Sequence, residues 1–165
     1  MKFKKNITLI SIFICTFLTS CFYDSDNEFA LSKTKTLIDC LENEKKDEIK
    51  NLFAPNIIKR VKNIDDQIDA LFEYWKGEDA SIVGSGGLGG LSNYNYGEYV
   101  FEIDFLYYVK TSECNYSISI MWYRRDDIDK NNEGMWYLWL DSYINKEDEK
   151  YKGSWENYEV GITLM

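Results

Sequence analysis

Tyr99-Val100-Phe101-Glu102-Ile103-Asp104-Phe105-Leu106-Tyr107-Tyr108-Val109-Lys110 (YVFEIDFLYYVK) decides the fold. Tyr99, Phe101, Ile103, Phe105, Tyr107 and Val109 alternate with Val100, Glu102, Asp104, Leu106, Tyr108 and Lys110, a period of two that predicts a long strand with one strongly apolar face. A second strand follows, in which Tyr116, Ile118, Ile120 and Trp122 alternate with Ser117, Ser119, Met121 and Tyr123. Met135 to Ile144 (MWYLWLDSYI) supplies a third, and Ala80 to Val83 and Val160 to Leu164 are shorter candidates. The short polar turns Thr111 to Asn115 and Asp126 to Gly134 suit antiparallel hairpins.

Upstream the period is helical. Ala30, Thr34, Leu37, Ile38 and Leu41 recur on one helix face, with Asn27 or Ser32 near its start. Asp47 can cap a short second helix, carrying Ile49, Leu52 and Phe53 inward, before Pro55 stops it. Asn56 to Val61 reads as a short extended link. A third helix opens at Asn63 or Asp65, holds Ile64, Ile68, Leu71, Phe72 and Trp75 on one face, and ends by Gly77. The expected fold is α+β: amino-terminal helices packed on a curved antiparallel sheet, cone-like, in one domain over 29–165. There is no internal repeat and no dividing linker.

This order, with Ile49-Lys50-Asn51-Leu52-Phe53-Ala54-Pro55 after a first amphipathic helix, resembles the nuclear-transport-factor-two-like, cystatin-like cone fold. It is similar also to small bacterial lipoproteins whose domain has no assigned function. The resemblance implies a sheet wrapped around helices, with a pocket at the open end of the cone. That fold serves isomerases, dehydratases, cyclases and plain binding proteins, so the resemblance leaves function open.

The chain has 165 residues, with 19 basic and 28 acidic side chains, 45% hydrophobic residues and no histidine. Lacking imidazole, it cannot build a Ser-His-Asp triad, a Cys-His pair or a histidine-ligated zinc. Lys2, Lys4 and Lys5 precede the apolar run Ile7 to Leu18, which is too short to span a bilayer comfortably and reads as a secretory signal over 1–20. Its end, Leu18-Thr19-Ser20-Cys21, resembles the lipobox of bacterial lipoproteins. That resemblance implies a thioether-linked diacylglycerol on Cys21, acyl chains such as palmitate, and a location on the extracytoplasmic face of a cell membrane. An ordinary secretory signal and an uncleaved short anchor are the simpler alternatives.

An acidic tether, 21–28, would follow the anchor. The processed chain keeps 16 basic and 28 acidic residues, a net charge of −12, which opposes binding to nucleic acid or anionic head groups. The membrane is thus reached through lipid on Cys21 and not through charge. Cys40 and Cys114 remain, too few for a disulfide framework.

Three patterns offer chemistry. Gly84 to Gly90 contains a formal G-x-G-x-x-G, but Leu91 to Gly97 is turn-forming and no helix opens there to receive a pyrophosphate. The expectation is a flexible loop or a flap over the cone mouth. Asp127-Ile128-Asp129-Lys130-Asn131 begins like a calcium loop, but Asn132 and Leu138 stand where glycine and glutamate are required, so a soluble turn is expected and no metal site. Asp104 and Asp141 lie within apolar strands, and a desolvated aspartate could serve as a general base. Asp104 shares its parity with Glu102, which suggests solvent.

Aromatic residues make up 16% of the chain. Phe72, Trp75, Phe101, Tyr107, Trp122, Trp136 and Trp139 are the candidate pocket or contact surface, filling the core, lining a cone or forming a platform for a partner. The combined expectation is a lipid-anchored extracytoplasmic binding or interaction module, non-enzymatic and without cofactors, taking a small apolar ligand or another envelope protein. The competing expectation is an isomerase or dehydratase using Asp104 or Asp141.

Overall fold

In the computed structural model, which describes residues 25–143 and 159–162, helices precede an antiparallel sheet, giving an α+β architecture. Helix α1 spans 25–42. The chain clusters into two units, Met1–Lys35 and Thr36–Met165. Within the first, the Thr34 hydroxyl donates to the Ala30 carbonyl at 2.9 Å, and the Lys33 ammonium lies 5.5 Å from the Phe29 ring centre. Within the second, Leu37, Ile38, Cys40 and Leu41 are buried, as the helical stripe requires. Residues 25–28, the end of the expected acidic tether, are helical, while the expected signal segment and Cys21 lie outside the described residues.

Three short helices follow: α2 (Lys46–Leu52), α3 (Pro55–Arg60) and α4 (Ile64–Tyr74). The extended link expected over Asn56 to Val61 is instead α3. Pro55 occupies its first turn, where a missing N–H costs nothing and the fixed φ already suits a helix, so the residue that stops α2 also starts α3. In α4 the buried side chains are Ile64, Ile68 and Leu71, and Trp75 is buried just beyond its end.

The strands are β1 (Ser81–Asn95), β2 (Glu98–Lys110), β3 (Asn115–Asp126), β4 (Gly134–Tyr143) and β5 (Glu159–Ile162). They form an open, curved meander in the order β1-β2-β3-β4-β5, each neighbour antiparallel. Register aligns Phe105 with Ile120 and Leu138, and Tyr107 with Ile118 and Leu140. All six are buried, so one face of the sheet is a continuous apolar layer.

The loop or flap expected over Gly84 to Gly90 is part of β1, paired with β2 along its length. Gly86 and Gly90 make room for the large side chains of β2. A Cβ on Gly86 would overlap Leu106 and stand 3.1 Å from the Tyr108 hydroxyl, and one on Gly90 would lie 3.4 Å from Phe101 Cε2. Strand pairing therefore survives low intrinsic propensity, because β2 supplies both the ladder and the covering side chains.

Two clamps fix the helices to the sheet. After α2, the Ala54 N–H donates to the Met135 carbonyl at 3.0 Å, and Phe53 forms a parallel bridge with Met135. Gly134 adopts φ +131°, and a Cβ there would stand 2.8 Å from the Ala54 nitrogen, so glycine alone permits this approach. After α4, the Tyr116 hydroxyl accepts from the Lys76 N–H at 2.6 Å and donates to the Tyr74 carbonyl at 3.1 Å, its ring stacked on Trp75 at 4.6 Å. Thr111 Oγ1 donates to the Lys76 carbonyl at 2.7 Å, tying the β2–β3 turn to the same point.

Candidate functional site

Strand register sorts the expected functional residues onto two faces. Tyr107 and Trp122 are on the buried face with Trp75 from the end of α4, and all three are buried. Phe101 shares their strand parity and is half-buried, with Arg124 5.8 Å from its ring centre. Phe72 is also half-buried. The indole nitrogen of Trp75 is buried with no hydrogen-bond partner, an unmet polar requirement within this apolar layer.

Trp139 belongs to the second face. It pairs across the strands with Ser119, as Tyr137 does with Met121 and Asp141 with Ser117. The Tyr137 and Trp139 rings lie 6.0 Å apart and nearly parallel, at 6°. A register shift in β4 falls between the pairs Tyr137–Met121 and Met135–Trp122, leaving Trp136 as the extra residue. Its ring sits 5.1 Å from Tyr123, and its Nε1 donates to the Asn132 carbonyl at 2.6 Å. Tyr123, Trp136, Tyr137 and Trp139 thus form a half-buried aromatic band across β3 and β4.

Both candidate aspartates are on this second face. Asp104 pairs with Met121 and is exposed; Asp141 is half-buried, with Oδ1 inaccessible and unpartnered. They stand two strands and four residues apart, roughly 16 Å at ordinary sheet spacings, too far to share a proton or flank one substrate atom. Partial desolvation raises both carboxyls above their usual range: at Asp104, exposed as the residue is, the neighbouring Glu102 charge adds to it, and at Asp141 the Ser142 N–H opposes it. Tyr123 pairs with Glu102 in register, and its phenol is pushed up to about 12, first by burial and then by a hydrogen bond with that carboxylate. Glu102 and Tyr123 escaped the sequence reading as a pair because a shift between Phe101 and Glu102 sets their register, and nothing in the alternation announces it.

The β3–β4 turn, which begins like a calcium loop, spends its oxygens on protein donors. Asp126 Oδ1 accepts from the Ile128 and Asp129 N–H groups, both at 2.9 Å, and Oδ2 from Asn132 Nδ2 at 2.8 Å. Asp127 accepts from Arg125 at 2.9 and 2.7 Å and from Lys130 at 3.1 Å, which hold its carboxyl well below the usual range. Asp129 takes Asn131 and, across the fold, Asn56. A second acidic group, Asp39, Cys40 and Glu48, brings potential ligand atoms within 4.8 Å, but the Lys45 ammonium sits 2.7 Å from Asp39 and neutralises it. Cys40 and Cys114 are free thiols.

Residues 36–153 match one family model, described as a domain of unknown function, DUF5104. The chain belongs to the DUF5104 family. The matched segment opens within α1 and runs through β4, so the DUF5104 domain contains the two clamps, the aromatic band and both aspartates. No curated protein matches this DUF5104 chain.

Proposed function

We propose that this DUF5104 protein is a lipid-anchored, extracytoplasmic interaction module without enzymatic activity, its α+β domain a variant of the nuclear-transport-factor-two-like cone. The aromatic band on the second face carries the reading. Tyr123, Trp136, Tyr137 and Trp139 present flat, rigid, amphipathic surface at low cost in side-chain entropy, the composition that protein-binding surfaces favour. The other face is filled by aliphatic and aromatic side chains, which supports a protein partner over a small apolar ligand.

The anchor proposal rests on the amino-terminal sequence. Lysines, a 12-residue apolar run and Leu18-Thr19-Ser20-Cys21 stand in the order a lipoprotein leader requires. Among the described residues no helix is long and apolar enough to cross a membrane. The absence of enzymatic activity is proposed because Asp104 is exposed and lies too far from Asp141 for the two carboxyls to act on one substrate atom.

A photocrosslinking amino acid at Tyr137 or Trp139, introduced into the full chain in cells, tests the reading against the same probe at Asp66, exposed on α4. Discrete adducts from the two sheet positions, absent at Asp66 and reduced at least tenfold by Trp136→Ala, are expected. Equal labelling from all three positions would remove the second face as a docking surface.

A further inference from the structure

The free side of β1 is the long open edge of the sheet. Among the described residues β1 pairs only with β2, and the opposite edge, β5, is four residues long. From Gly87 to Asn95 its register with β2 runs without a shift, through nine residues, or about 30 Å. Among the described residues, alternate N–H and C=O groups on that side have no strand to meet, and Gly89 to Tyr94 are all exposed. Register shifts interrupt β1 only before Gly87, and from Gly87 to Asn95 the strand has no proline, no lysine and no inward-pointing charge to protect the edge.

Charge identifies the occupant. Between Asp79 and Glu98 the chain has no charged residue, its longest such run after the expected leader, in a protein of net charge −9. A basic partner strand would find no carboxylate on this edge, and an acidic one no ammonium. Two copies of this acidic chain repel over most of their surface, but here they meet without opposing any like charges. A neutral strand is electrically complementary to itself.

We propose that β1 is a self-pairing edge, through which two copies of this chain join antiparallel along Gly87 to Asn95 about a two-fold axis at Leu91. Leu91 is the centre of the unshifted run and is 69% exposed. In this register Leu91 of one copy faces Leu91 of the other, and Tyr94, 73% exposed, faces Leu88 and reaches diagonally over Gly90, which has no side chain to obstruct it. The shifts at Ile82/Gly84 and Ser85/Gly87 end the regular ladder on one side, and the two-fold symmetry consumes both edges, so the assembly closes as a dimer. The inference stands apart from the aromatic band and the lipid anchor, neither of which it uses.

Sedimentation of the full, cell-processed chain in detergent measures the state directly. A dimer is expected, with Leu91→Lys raising its dissociation constant at least tenfold while circular dichroism stays unchanged, since Leu91 is exposed. In a Cys114→Ser background, Leu91→Cys should give a covalent dimer on oxidation and Ser117→Cys, in β3, should not. A monomer at every concentration, or a dimer that Leu91→Lys leaves intact, would overturn self-pairing. A dimer that Leu91→Cys fails to lock would overturn the two-fold at Leu91.

Discussion

Gly86 of β1 lies directly against Leu106 of β2: a Cβ on the glycine would overlap Leu106 Cδ2 and stand 2.8 Å from its Cγ. The strand that reads as a loop is held by its neighbour's side chains. At Gly89, three residues on, a Cβ would meet nothing within 4 Å.

The two glycines should therefore respond oppositely to alanine. Gly86→Ala forces the half-buried Leu106 side chain to move and is expected to cost about 1 kcal/mol. Gly89→Ala adds a methyl group in open space, reduces the freedom of the unfolded chain, and should be neutral or stabilising by about 0.4–1 kcal/mol. Urea unfolding of the two variants checks the pair, and equal destabilisation would contradict the packing described for β1.

Acid should loosen the β3–β4 turn. Arg125, then Lys130, lower the carboxyl of Asp127 below its unfolded value, so its contribution is present above the ordinary pKa of about 4 and lost as pH falls further. Melting temperature measured against pH should fall less steeply below pH 4, roughly, for Asp127→Asn than for the parent chain. Parallel curves would contradict the ion-paired geometry.

Asp104 and Asp141 carry the opposite sign. Both are raised, chiefly by burial, so their ionised forms oppose folding. The relative gain from the raised value is complete below the unfolded pKa of about 4 and lost as pH rises through the folded value. Asp104→Asn and Asp141→Asn should each raise the melting temperature at neutral pH and not in acid below that range. A loss at neutral pH would mean that a donor, such as the Ser142 N–H beside Asp141, holds the ionised carboxylate more strongly than burial opposes it.

The buried half of the sheet was legible because β2 from Glu102 to Lys110 and β3 from Asn115 to Tyr123 alternate without interruption, and period two leaves Ile103, Phe105, Ile118 and Ile120 only one face to bury. β1 was not, since glycine displays no period and its pairing depends on Leu106, Tyr108 and Phe101 of the next strand. Pro55 misled for a simpler reason: the residue that ends one helix is equally suited to begin another. Of the candidate site, the solvent parity of Asp104 could be read from Glu102, whereas the place of Trp136 beside Tyr123 depends on a register shift that no local pattern announces.

The proposal of a membrane-tethered module turns on Cys21. Metabolic labelling of the full chain with a radioactive lipid precursor, followed by a high-salt wash of the membranes, tests it most directly. Label on the parent chain and retention through the wash are expected, with the label lost in Cys21→Ala, which has no thiol to carry the diacylglycerol. Undiminished labelling of Cys21→Ala, or an unlabelled parent chain, would contradict the anchor.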